Sequence, residues 1–237
     1  GKIVDEKVHK DLGITEVKLS NGARVLMKST DFKNDQIVFR AYSMGGYSNA
    51  SDEDYLSAER AASIIEQAGV SKFELTELEK MLAGKIVNVS PFIGELTEGM
   101  RGDASPEDLE TMMQLINLYF TEPRMDYEAF ENYMTRVRES VLNSKVVPSS
   151  ALRDTFSTVL ANYHYRERPM NEEMLEDIEL EAAYDFYRNR FADASDFTFI
   201  FVGNIDEKKM KPMIEKYIGS LPTVQREDKW VDMGIEP

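Results

Sequence analysis

The chain has 237 residues, 42% hydrophobic and 30% charged, which supports a packed core and excludes global disorder. With 43 acidic against 28 basic side chains, its net charge of −15 opposes nucleic acid and anionic lipid, and it favours solubility, basic peptides or cations. Cysteine is absent, so disulfides, thiolate zinc sites and cysteine nucleophiles are excluded, and no apolar run reaches the ~20 residues of a membrane span.

Residues 1–12 are polar and aperiodic and read as a linker, with 1–13 placed outside the domain. Gly1 stands where an initiator methionine would, which points to a piece of a longer product. Val17 and Leu19 alternate with polar neighbours, Asn21-Gly22 turns the chain, and 23–28 alternates again, a strong hairpin signal. Ile37 to Ser43 gives a third strand, ended by Gly45-Gly46. Asp52 to Ala68 reads as a helix with Tyr55, Ala58, Ala62 and Ile65 on one face. Ser71-Lys72-Phe73-Glu74 has the form of a capping box before a short helix that ends near Gly84.

Ile86–Ser90 and Phe92–Arg101 read as two more strands, the second alternating less cleanly. Ser105-Pro106-Glu107-Asp108 has the form of a helix start, and Leu109, Met112, Met113, Ile116 and Phe120 follow at helical spacing. Phe130, Met134, Val137 and Val141 mark another helix, ended by Pro148; Leu152, Phe156, Val159 and Tyr163 mark the next. Asn171 caps a long helix through Met174, Ile178 and Leu180 to Tyr187. Phe197–Val202 is apolar on both faces and reads as a central strand, after which Asp206 starts a last helix containing Pro212. Residues 223–237 are an acidic, aperiodic tail holding Trp230. Hairpins and alternation argue for an α+β domain over 14–222: an antiparallel sheet of about five to six strands with helices on one face.

Four pieces in order carry a resemblance: Leu19-Ser20-Asn21-Gly22-Ala23-Arg24-Val25; Ser43-Met44-Gly45-Gly46-Tyr47-Ser48; Leu82 to Ser90; and the closing cassette Tyr184–Pro222. Together they resemble a domain of the pitrilysin/insulinase-type zinc metallopeptidases, whose fold is an α/β roll. Active members of that family carry His-x-x-Glu-His on the helix after the Gly-Gly exit. Two imidazoles one turn apart grip zinc, and the glutamate between them polarises water. The best register here puts Ser63, Glu66 and Gln67 at those positions. Serine and glutamine are poor zinc ligands, and the two histidines, His9 and His164, cannot form an i, i+4 pair.

The resemblance therefore implies the first domain of the degenerate half of such a peptidase, with no catalytic residue, no metal ligand and no cofactor in this chain. Zinc is expected in a partner half. The implied partners are the remainder of the same polypeptide, meaning the zinc-bearing half and a following domain, together with a peptide substrate held in an enclosed chamber. No nucleic acid and no membrane span are implied, and a cytoplasmic or an extracytoplasmic location stays open. Substrate contacts by Arg and Tyr belong to the following domain of the family, so Arg153 and Tyr163 are given no role. Glu139 lies near the family's downstream glutamate ligand and reads as a solvated helix residue. A stand-alone inactive relative is the alternative, and an unrelated hydrolase using Glu66 or Asp103 ranks last. Tyr163-His164-Tyr165-Arg166 reads as a core edge, Gly203-Asn204-Ile205-Asp206 as a turn with a helix cap, and Met112, Met113 and Met134 as core filling.

Overall fold

A computed structural model describes residues 1–236; residue 237, the last of the expected tail, lies outside them. The strands are β1 (Ile3–His9), β2 (Ile14–Leu19), β3 (Arg24–Ser29), β4 (Ile37–Met44), β5 (Val87–Ile93), β6 (Thr97–Ala104) and β7 (Thr198–Gly203). The helices are α1 (Tyr55–Ala68), α2 (Leu75–Leu82), α3 (Leu109–Thr121), α4 (Tyr127–Ser144), α5 (Pro148–Leu160), α6 (Glu172–Glu176), α7 (Leu180–Arg190) and α8 (Glu207–Met213). All seven strands form one sheet in the order β1-β2-β3-β7-β4-β6-β5. Every pair is antiparallel except β3 and β7, which run parallel with Arg24 opposite Thr198 and Ser29 opposite Gly203. Phe197–Val202 thus supplies the fourth of seven positions, the central one expected from its apolar run.

Alternation fixes which side of the sheet is covered. Along β4, Ile37, Phe39, Ala41 and Ser43 are buried, while Val38 and Arg40 face solvent. Arg40 lies over the Phe92 ring on that open face, 5.5 Å from its centroid. The covered face packs on α1 and α3, α7 lies against α1, and an aromatic cluster joins Phe120 of α3 and Phe191 at the end of α7 to Phe197 and Phe199 of the central strand and its approach. Each such ring adds about 1.5–3 kcal/mol by burial, and each pair about 0.5–1.5 kcal/mol more. Met112 and Met113 are fully buried in this core, and Met134 packs against it.

Several elements differ from the sequence reading. Residues 1–12 are not a linker: β1 pairs with β2 along its length and makes the seventh strand, one more than expected. Most of β1 is exposed, so it has no apolar face to announce it, and its charged side chains suit an unprotected sheet edge. Glu215 anchors it, accepting from the Ile3 amide at 3.0 Å and from Lys2 Nζ at 3.3 Å. The β5–β6 turn falls at Gly94, not Pro91, which lies within β5.

The capping box belongs to Glu74 and Glu77; Ser71 instead adopts φ 53° and bonds Glu122. Ser105 forms a turn closed by Asp108, and Asp108, not Ser105, is the residue that precedes α3 at Leu109. The long helix after Asn171 breaks into α6 and α7. Buried Ser57 of α1 sits at the break, accepting from the Glu179 amide at 2.9 Å. Pro212 lies inside α8, and the chain then widens into a π-helical turn, Ile214–Ile218. The 203–206 turn is as expected, with the Asp206 carboxylate accepting from the Lys208 amide at 3.0 Å.

Candidate functional site

Two places gather polar chemistry: the outer face of α1, and the point where β4 leaves the sheet. On α1, small and apolar residues (Ala58, Ala61, Ala62, Ile65) turn inward, which leaves Ser63 exposed and Glu66 and Gln67 half-buried. Arg136 of α4 donates from Nη2 to Gln67 Oε1 at 2.5 Å. Glu66 and Gln67 border a cavity of about 370 Å³ together with Leu78, Asn88, Leu115 and Tyr119. Burial, with Glu66 nearby, drives the Tyr119 hydroxyl well above its usual range, so it stays a neutral donor. Glu139 is exposed on α4.

As a donor set this face offers a hydroxyl, one carboxylate and an amide already engaged by a guanidinium. That set does not fit zinc, which takes imidazole, thiolate or several carboxylates and is repelled by a fixed positive charge. Among the described residues, no three His, Asp or Glu side chains converge to hold a metal ion. His9 pairs with Glu16 at 2.7 Å on the β1–β2 hairpin, and His164 lies against Tyr165, so neither approaches α1's motif positions.

At the second place, β4 ends in Gly45 (φ 138°) and Gly46 (φ 60°), conformations that favour glycine. A Cβ on Gly46 would lie 2.2 Å from the Gly94 carbonyl oxygen. The Gly46 amide donates to Glu98, which is wholly buried on β6, and Arg190 Nη2 donates to the other Glu98 oxygen at 2.9 Å. Arg190, 4% exposed, also donates to Asp228 at 2.7 Å. Thr223, Arg226, Asp228 and Val231 of the expected tail are therefore tethered to the domain. Thr223 Oγ1 and the Arg226 amide donate to Asp193 at 2.8 and 2.7 Å, and the Val231 amide donates to Ser48 Oγ at 3.0 Å.

The carboxylates of this cluster diverge. Burial pushes Glu98 up, opposed by the Arg190 hydrogen bond and charge. Burial also acts to raise Asp193, but hydrogen bonds from Ser195, Arg226 and Thr223 outweigh it and hold it at about 2. Asp196 goes the other way, raised to about 6 by burial and then by the Asp228 and Asp193 charges. Its Oδ2 is buried without a hydrogen-bond partner, and the nearest cation, Arg226 Nε, is 3.9 Å away.

Residues 177–234, which span α7, β7, α8 and much of this tethered tail, match the family model described as the peptidase M16 inactive domain. A zinc protease PQQL-like protein of Arabidopsis thaliana is 29% identical over 223 residues, covering 94% of this chain and 21% of its own length. The chain is similar to the M16 peptidases. Its fold is that of the periplasmic protease PqqL of Escherichia coli, with a TM-score of 0.81 and 19% identity over 98% of this chain and 25% of that one. The first half of PqqL matches too, at a TM-score of 0.73 and 14% identity over 92% of this chain and 48% of that half. The chain thus spans about a fifth of the Arabidopsis relative and a quarter of the full PqqL chain.

The Gly45-Gly46 exit and the 184–222 cassette, far apart in sequence, meet through Glu98, Arg190 and Asp228. Sequence reasoning missed this cluster, although one signal was present. Glu98, Met100 and Ala104 share the inward face of β6, so an acid stood in an otherwise apolar row. Arg136 gave no signal, because a helix-face arginine usually meets solvent. Tyr163 is no core edge: it is largely exposed, whereas Tyr165 and Arg166 pack against Tyr55 and bond Asp52 at the surface.

Proposed function

We propose that the chain is a non-catalytic domain of a zinc-dependent endopeptidase and helps enclose a peptide chamber with a zinc-bearing half of the same polypeptide. What supports this reading is the α1 face, where Ser63, Glu66 and Gln67, the residues expected at the motif positions, offer poor zinc donors and Arg136 is bound to Gln67. The match to an M16 inactive domain supports it, as does the small share of its relatives that the chain spans. In this role Ser63, Glu66 and Gln67 hold no metal, and the acidic surface favours basic peptides entering the chamber.

The test is zinc content and peptide hydrolysis, measured on the chain alone and on the longer polypeptide containing it. Expected are no tightly held zinc and no turnover in the chain, with both present in the longer protein. Stoichiometric zinc together with hydrolysis by the isolated chain would sink the reading.

A further inference from the structure

Helix α5 is turned inside out. Leu152, Phe156, Val159 and Leu160 follow one another at spacings of four, three and one residues, which places them on one stripe of α5, and Tyr163, in the left-handed turn just past the helix, continues the exposed apolar surface. That surface faces solvent: Leu152 is 72% exposed, Phe156 63% and Tyr163 67%. The opposite face is polar and turns toward the domain. Asp154 and Ser157 border a polar recess with Arg60 and Arg166, Ser150 is buried, and Thr158 Oγ1 is buried without a partner. Leu142 near the end of α4, and Val146 and Val147 in the turn before α5, are exposed apolar residues as well.

A helix on the surface of a self-sufficient domain points its apolar stripe inward. Single exposed apolar residues are ordinary, but a contiguous stripe marks an interaction surface. A 13-residue helix also gains little from its own hydrogen bonds, so α5 needs packing from somewhere to be stable. The body of this chain does not supply that packing to the stripe.

We propose that the α5 stripe is the surface by which this chain docks against another domain of its own polypeptide. The occupant follows from proportion. The full PqqL chain matches at a TM-score of 0.81 over 25% of its length, whereas its first half alone matches at only 0.73 over 48% of that half, so the better match lies outside the first half and the fold occurs in both parts. Units of this size therefore recur within one such polypeptide, and a neighbouring unit is covalently held close at high effective concentration. An apolar stripe with no charge pairing suits a lasting contact of that kind, which resembles a domain core cut in two. The proposal rests on the reading of the chain as one domain of a longer peptidase.

The native chain has no cysteine, so a single thiol reports its own surroundings. Phe156→Cys tests the stripe, and Phe32→Cys, 90% exposed in the β3–β4 loop, is the control. Maleimide labelling is read by mass spectrometry on the peptide carrying each thiol. In the longer polypeptide Phe156→Cys should label at least tenfold more slowly than in the 237-residue chain, while Phe32→Cys labels alike in both. Hydrogen exchange of 150–160 in the unsubstituted proteins gives the same answer without a mutation: fast in the chain, protected in the longer protein.

Equal labelling of Phe156→Cys in both proteins, or equal exchange, would overturn the proposal. So would protection in the isolated chain that grows with its concentration, which would make a second copy the occupant. Protection appearing only on addition of a basic peptide would assign the stripe to substrate and equally overturn it. None of these readouts depends on zinc or turnover, so a failure here is distinct from a failure of the functional reading.

Discussion

Charged side chains are buried where β4 leaves the sheet, and apolar side chains are exposed along α5; the two regions invert the usual rule in opposite directions. In the first, the two most deeply buried charges answer each other within the chain: Glu98 has Arg190 and the Gly46 amide, and Arg190 has Asp228 as well. In the second, the exposed surface from Leu152 to Tyr163 has no partner that the chain supplies. An inversion resolved internally marks a structural joint, and one left unresolved marks a surface completed by something else.

The joint should be the costlier of the two to disturb. Arg190→Met leaves Glu98 buried beside no cation and should destabilise the chain by about 3–5 kcal/mol at pH 7 in urea unfolding. Burial has already raised the Glu98 carboxyl, so its protonation on acidification should shrink that loss, and adding Glu98→Gln should recover part of it. A fully retained loss in the double variant would show that the arginine acts through packing alone.

Two phenylalanines put the same contrast in one residue type. Phe120→Ala, within the aromatic cluster, should cost about 3–5 kcal/mol by the same measurement. Phe156→Ala, on the α5 stripe, should change the isolated chain by less than about 0.5 kcal/mol. A large loss at Phe156 would mean that the chain covers its own stripe.

Between those extremes lies Asp196. Its carboxyl stands at about 6 in the folded chain, against an ordinary 3.8. Between about pH 4 and 6 the folded state therefore holds a proton that the unfolded state has released. Stability then falls as pH rises through that window. Asp196→Asn should remove the fall and stabilise the chain by about 1 kcal/mol at pH 7, with little effect at pH 4. Asp193, held at about 2, has the opposite sign: its contribution is complete above about pH 4 and is lost as pH drops toward 2. Unfolding curves of Asp196→Asn parallel to wild type at every pH would remove Asp196 from this account.

Local patterns carried most of the fold. Asn21-Gly22 announced the β2–β3 hairpin, and the apolar run before Gly203 placed β7 at the centre of the sheet. What the sequence hid was set by distant contacts. β1 has no buried face, and the α6–α7 break sits where Ser57 meets the Glu179 amide. The site was half legible. Ser63 and Gln67 could be read as poor donors, but the Arg136 contact that occupies Gln67 depends on how α4 lies across α1. Helical spacing revealed that α5 exists without revealing which way its stripe faces, since a period specifies a face and not its environment.

The central place of β7 also bears on how the chain is made. Strands β3 and β4 are consecutive in sequence, yet each pairs with β7 and not with the other. A nascent chain leaving the ribosome therefore carries two half-sheets with open edges until residue 203 has emerged to join them. Such edges invite pairing with other chains, so translation that stalls before β7 would release a sticky product, while one that completes it seals both edges together.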